Sequence, residues 1–193
     1  MNTDTSQATL SAKIVIAGGF GVGKTTLVGS VSEIDPLTTE AVMTSASVGV
    51  DDLSAVPDKT TTTVAMDFGR ISLDSDLILY LFGTPGQDRF WFMWDDLTVG
   101  AIGAVVLIDT RRLSDSFGAI DYFESRGTPF IVAHNVFGAE YRHTSEQIRE
   151  ALSLRPEVPI IACDARDRES TKAALITLVE HVLALVASDS AAR

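Results

Sequence analysis

A glycine-rich run, GGFGVGKTT at positions 18–26, carries the first recognisable chemistry in this chain. Four residues separate Gly18 from Gly23, and Lys24 and Thr25 follow directly. Glycines let a backbone wrap closely enough to aim several N–H groups at one anion, and a helix starting at the end of the run adds the favourable field of its N-terminus. In this pattern Gly18, Gly21, Val22, Gly23, Lys24, Thr25 and Thr26 are expected to cradle nucleotide phosphates. Lys24 would meet the terminal phosphates, and the Thr25 hydroxyl would be offered to Mg²⁺.

Such a loop works only between a strand and a helix, and the surrounding sequence supplies both. KIVIAG precedes the loop and KTTLVGSVS runs out of it. Further along, VAMDFGRISL and LILYLF read as a hairpin, and AIGAVVLID, PFIVAHNV and PIIACDA read as short, continuously apolar strands. Between and after them, SDSFGAIDYFES, SEQIREAL and TKAALITLVEHVLALVAS carry helical spacing, with Thr144 and Gln147 placed to form a capping box. Buried strands alternating with helices predict an α/β P-loop NTPase fold: a mostly parallel central sheet with one antiparallel edge strand and helices on both faces. Residues 1–193 read as one domain, with flexible ends at 1–10 and about 188–193.

Composition narrows the partners. A formal charge of −11 removes the broad basic surface that nucleic-acid binding requires. The single cysteine, Cys163, cannot close an internal disulfide and shares no metal-ligand spacing with His134, His143 or His181, which fits a cytoplasmic setting. No lipidation motif or apolar run of membrane-spanning length is read from the sequence, so no direct anchor is expected and any membrane recruitment would pass through a partner.

Between Glu33 and Lys59 the pattern loosens, then TTTTVAMDFG leads into the hairpin, and LILYLF ends in the turn GTPGQ, Gly83 to Gln87. With the phosphate loop, these segments resemble the Ras-like small GTPases, most closely the bacterial branch that includes the gliding-motility GTPase and the actinobacterial conservon GTPases. The resemblance implies a guanine-nucleotide-binding molecular switch in signal transduction, with GTP/GDP and Mg²⁺ as ligands and slow GTP hydrolysis. It also implies a roadblock-like regulatory protein and a sensor-kinase assembly as partners. Thr63, four positions before Asp67, would be the switch threonine that closes on Mg²⁺ and the γ-phosphate, with Thr62 as the other assignment. Gly86 would place its N–H on the γ-phosphate and Gln87 would orient the attacking water. Gly83 stands where such GTPases commonly carry an Asp that supports Mg²⁺, so the metal is expected to rely on Thr25, Thr63, phosphate oxygens and water. No arginine lies directly before Thr63; Lys59 stands nearby and Arg89 is a candidate substitute. A missing arginine finger typically costs about 10³–10⁵ in turnover, which implies a slow timer dependent on a partner.

The base pocket departs from the same pattern. Asn135 aligns with the Asn of the guanine motif, but Val136 and Gly138 fill its Lys and Asp positions. Cys163, Asp164, Ala165 and Arg166 stand in for the Ser-Ala-Lys loop: the Ala165 N–H could face guanine O6, Val136 or Phe137 could cover a base face, and Asp164 is either a compensating carboxylate or a helix-capping or surface residue. RFWFMW, which follows the turn, packs more aromatic residues than one helix face can bury, so some serve a partner surface or all plug the cleft. A pseudo-GTPase scaffold, a P-loop protein with relaxed GTP/ATP specificity and, more remotely, a metabolite kinase are the competing functional readings.

Overall fold

A computed structural model describes residues 10–35, 41–42, 61–62, 66–74, 76–136 and 143–191. Strand β1 (Leu10–Ala17) leads into helix α1 (Lys24–Val31), and two short strands, β2 (Ala41–Val42) and β3 (Thr61–Thr62), pair with each other. The hairpin follows as β4 (Asp67–Asp74) and β5 (Leu77–Gly83), then a 3₁₀ turn over Asp88–Met93 and α2 (Trp94–Thr98). The chain continues through β6 (Ala101–Ile108), a 3₁₀ segment over Thr110–Ser116, α3 (Phe117–Arg126), β7 (Phe130–Asn135), α4 (Ser145–Ala151), β8 (Ile160–Cys163) and α5 (Arg168–Ala191). The main sheet has six strands in the order β4-β5-β1-β6-β7-β8. Only β4 runs antiparallel, at one edge, as the hairpin reading requires.

Alternation along the strands builds a core on each face of this sheet. Ile14 and Ile16 of β1, with Val105 and Leu107 of β6, point to the side covered by α1 and α5, where Leu27, Val28, Leu175 and Leu178 meet them. Val15, Val106 and Val132 face the opposite side, against Trp94, Ile120, Phe123 and Ile148 from α2, α3 and α4. The central strands are buried on both faces, which explains their unbroken apolar sequence. α4 begins with the expected capping box of Thr144 and Gln147.

The sequence reading misjudged the last helix. α5 runs through Ala191, so its final turns are helical where loose chain was expected. By length and composition it is also apolar enough to cross a membrane, contrary to the expectation that no run reaches that length. Its first half explains part of that character, because Thr171, Ala174, Leu175 and Leu178 are buried against the sheet. Leu183 and Val186, farther along, are exposed. Its start is tied to α1: Arg168 Nη1 donates to the Val31 carbonyl at 3.1 Å, and the hydroxyls of Ser30 and Thr171 lie 3.2 Å apart.

Candidate nucleotide site

All parallel strands deliver their carboxyl ends to one edge of the sheet, the edge at which open α/β folds bind ligands. Gly18–Gly23 follows β1, Thr84–Gln87 follows β5, and Asp109, Val136 and Asp164 follow β6, β7 and β8. The residues expected from separate stretches of sequence are therefore brought to a common rim.

At the centre, Gly23 closes the phosphate loop with φ of +107°, and a Cβ there would meet Asn135 Nδ2 at 2.6 Å. A side chain is thus excluded by backbone conformation and by space. α1 begins directly afterwards with no side-chain cap and no acidic residue in its first turn, which leaves its leading N–H groups for an anion. Lys24 is buried, and its ammonium donates to the carbonyls of Gly18 and Gly19, both at 2.8 Å. Burial lowers its pKa to about 8, against the opposing pull of the Asp67 carboxylate. Its charge is held close by the loop and faces the place where phosphates would neutralise it.

The turn after β5 rests on this loop. A Cβ on Gly86 would stand 2.7 Å from Lys24 Nζ, 2.9 Å from Phe20 Cα and 3.0 Å from the Gly19 carbonyl oxygen, so only glycine lets the turn sit so close. Gln87 lines a cavity of about 620 Å³ with Gly19, Phe20, Gly86, Trp91 and Asp115. Two residues that sequence reasoning passed over brace its other side. Arg112 donates to the Phe20 carbonyl at 2.9 Å and pairs with Asp115 at 3.7 Å. Their only advance signal was their position after a strand at the binding edge.

RFWFMW is partly buried and partly exposed. Trp94 is fully buried and donates its indole N–H to the Pro85 carbonyl at 3.3 Å, while Phe90 is also buried. Trp91 stacks on Trp94 with centroids 5.2 Å apart, and Phe92 is 46% exposed. The segment therefore holds the turn in place from below and presents one aromatic ring outward.

The chemistry of the donor set suits magnesium. Thr25 and Asp67 bring hard oxygen atoms together, with the Thr25 hydroxyl donating to Asp67 Oδ2 at 2.8 Å. Among the described residues no group of three or more His, Cys, Asp or Glu could hold a metal by itself, so a cation here would share phosphate oxygens. The neighbouring Thr84 is buried, and its hydroxyl has no hydrogen-bond partner among the described residues. Thr63, Phe137, Gly138 and Lys59 lie outside the described residues, as does the side chain of Arg89.

A family model described as "Conserved hypothetical ATP binding protein" matches residues 16–185. The chain belongs to that family. It is a P-loop protein that binds nucleotide, and the match spans both the phosphate loop and the base-side loops. A relative from Methanocaldococcus jannaschii, "Uncharacterized protein MJ1339", is 30% identical over 120 residues, which cover 61% of this chain and 65% of the relative.

At the base side of this family member, the hydrogen bonds close among the protein's own groups. Asn135 is buried; its Nδ2 donates to the Val22 carbonyl at 2.9 Å and its Oδ1 accepts from the Ala165 N–H at 3.2 Å. The N–H expected to face guanine O6 is therefore turned to Asn135, because that buried amide needs a donor at its oxygen. Asp164 accepts from the Arg166 backbone N–H and from its guanidinium, at 3.0, 2.9 and 2.7 Å. Those bonds hold its carboxyl down to about 2. Asp164 closes its own turn through these bonds and does not cap the helix: at the start of α5 it is Asp167 Oδ1 that accepts from the Ser170 N–H, at 2.7 Å. Cys163 is buried and its thiol is pushed up by that burial, which makes it packing material rather than a nucleophile. Val136 is half-buried, with its N–H donating to the Cys163 carbonyl.

Proposed function

We propose that the protein is a nucleotide-state switch that binds GDP and GTP with magnesium and hydrolyses the triphosphate slowly. The observation that carries this reading is the seating of Gly86 on Lys24 and Gly19, with Gln87 directly after it. A γ-phosphate arriving at Lys24 must be felt by that turn, because no side-chain volume separates the two. Lys24 and the amides of the loop hold and orient the phosphates, Thr25 would hold magnesium, and Gln87 orients water for attack. Bound magnesium supplies charge neutralisation among the phosphate oxygens. Thr63, or Thr62, would close on the same point.

The sequence has no arginine directly before Thr63 and Arg89 is the candidate substitute, so we read turnover as slow and dependent on what a partner adds. By resemblance that partner is a roadblock-like protein in a sensor-kinase assembly, and a cytoplasmic protein recruited to membranes through it is the setting that fits. Phe92 on the 3₁₀ turn offers such a partner an exposed aromatic anchor.

A second reading, adenine in the same pocket, draws support from the family's description and from Asp164, whose carboxylate is engaged by Arg166. Calorimetric titration of nucleotide-free protein with GDP and with ADP, each with Mg²⁺, separates the two. The guanine reading expects GDP to bind more tightly than ADP. Equal or tighter ADP binding would overturn the guanine assignment. For the switch itself, Gln87→Leu should slow single-turnover hydrolysis and leave GDP affinity unchanged; if turnover and nucleotide-dependent partner binding are both unaltered, the switch reading fails.

A further inference from the structure

The acid missing from Gly83 has a counterpart on the neighbouring strand. In the antiparallel pairing of β4 with β5, Asp67 stands directly opposite Gly83, at the rung nearest the phosphate loop. Residues opposite one another across such a ladder project from the same face, so Asp67 occupies the side on which an acid at position 83 would stand. A Cβ on Gly83 would meet Asp67 Oδ2 at 2.8 Å and Asp67 Cβ at 2.9 Å. The carboxylate lies across the glycine and fills the volume its side chain would have taken.

We propose that Asp67 supplies, from across the ladder, the carboxylate that supports magnesium in this protein. The inference rests on the reading that nucleotide binds with magnesium at Thr25. The Thr25 hydroxyl has one proton, and it gives that proton to Asp67 Oδ2 at 2.8 Å. Its lone pairs are thereby left to face a cation, while an ionised carboxylate retains capacity for a second donor, such as a water carried by the metal. Asp67 also lies near enough to Lys24 to oppose the loss of its proton, so acid and ammonium flank the same phosphate position. The expectation that magnesium would rely on no protein carboxylate is replaced by this assignment. Gly83 is then a requirement of the site, since a side chain there would expel the acid that serves it.

The test is the release of fluorescent GDP, or of fluorescent ADP if that is what the wild type binds, from the full chain as a function of free Mg²⁺. Asp67→Asn keeps the size of the side chain and an oxygen for Thr25. It is expected to raise the Mg²⁺ concentration for half-maximal slowing of release by about 10–100-fold, with release in EDTA within about twofold of wild type. The exchange Asp67→Gly with Gly83→Asp should recover at least part of that shift, with thermal melts confirming folding of both variants. An unshifted Mg²⁺ midpoint in Asp67→Asn, or an equal acceleration with and without Mg²⁺, overturns the assignment and leaves Asp67 as a strut for α1. Wild-type release that ignores Mg²⁺ altogether overturns the magnesium reading of Thr25 and this inference with it.

Discussion

The phosphate end and the base end of the binding edge use similar polar groups to opposite effect. At the phosphate end the charge is held under tension: Lys24 is buried against two carbonyls with its pKa lowered to about 8, and α1 begins without a cap. At the base end the demands are met internally. Asn135 joins Val22 to Ala165, and Arg166 holds Asp164. A buried ammonium beside an uncapped helix start marks a place suited to an anion. One whose groups satisfy each other serves first as scaffolding, and its selectivity depends on contacts made around it.

Breaking the phosphate end should produce the largest effect. Lys24→Met removes an ammonium that would make two charge-assisted contacts of about 1.5–3 kcal/mol each, so nucleotide affinity measured by fluorescence titration should fall by about 10²–10⁴. Next comes the scaffold at the base end. Asn135→Ala strands the Val22 carbonyl and the Ala165 N–H, and urea denaturation should show a loss of about 2 kcal/mol. A variant as stable as wild type would show that this end of the edge is not self-satisfied after all.

The pH dependence sharpens the contrast further. In the free protein Lys24 has a lowered pKa of about 8, and phosphates would raise it. Its contribution to affinity is therefore fully present below pH 8 and is lost as pH rises through that value, by up to about tenfold per unit. Affinity that is flat from pH 7 to pH 9.5 would contradict the burial assigned to Lys24.

The smallest effect is expected at Asp164. Asp164→Ala should leave the ratio of GDP to ADP affinity within about twofold of wild type, because its carboxylate is already engaged by Arg166. Its folded pKa is depressed, so whatever stability the pair adds is present above the ordinary carboxylate range and is lost as pH falls toward 2; denaturation curves of variant and wild type should converge there. A large change in nucleotide preference would show that the pair opens to read the base.

Features legible in the sequence were those carried by local runs. The phosphate loop, the capping box at Thr144, the hairpin and the apolar strands each lie within one continuous stretch, where spacing alone reports geometry. What escaped depended on neighbours distant along the chain. Phe92 and Trp94 are two aromatic residues of one short segment, yet only the stacking surface offered by Tyr122 and Phe123 of α3 decides that Trp94 goes inward. Ala165 turns its N–H to Asn135 because β7 and β8 are adjacent, a fact of sheet order that no run of residues contains. In the sequence Asp67 is a landmark for Thr63, while its position opposite Gly83 is a matter of strand register.

That rung also constrains how such a site can have changed over time. Position 67 and position 83 share room for one acidic side chain, so an exchange of the acid between strands cannot pass through a chain that carries both without displacing one of them. The accessible intermediate has glycine at both positions: it keeps the fold and the phosphate loop but has no acid beside Thr25. A lineage crossing by that route would spend an interval holding nucleotide with weakened metal support.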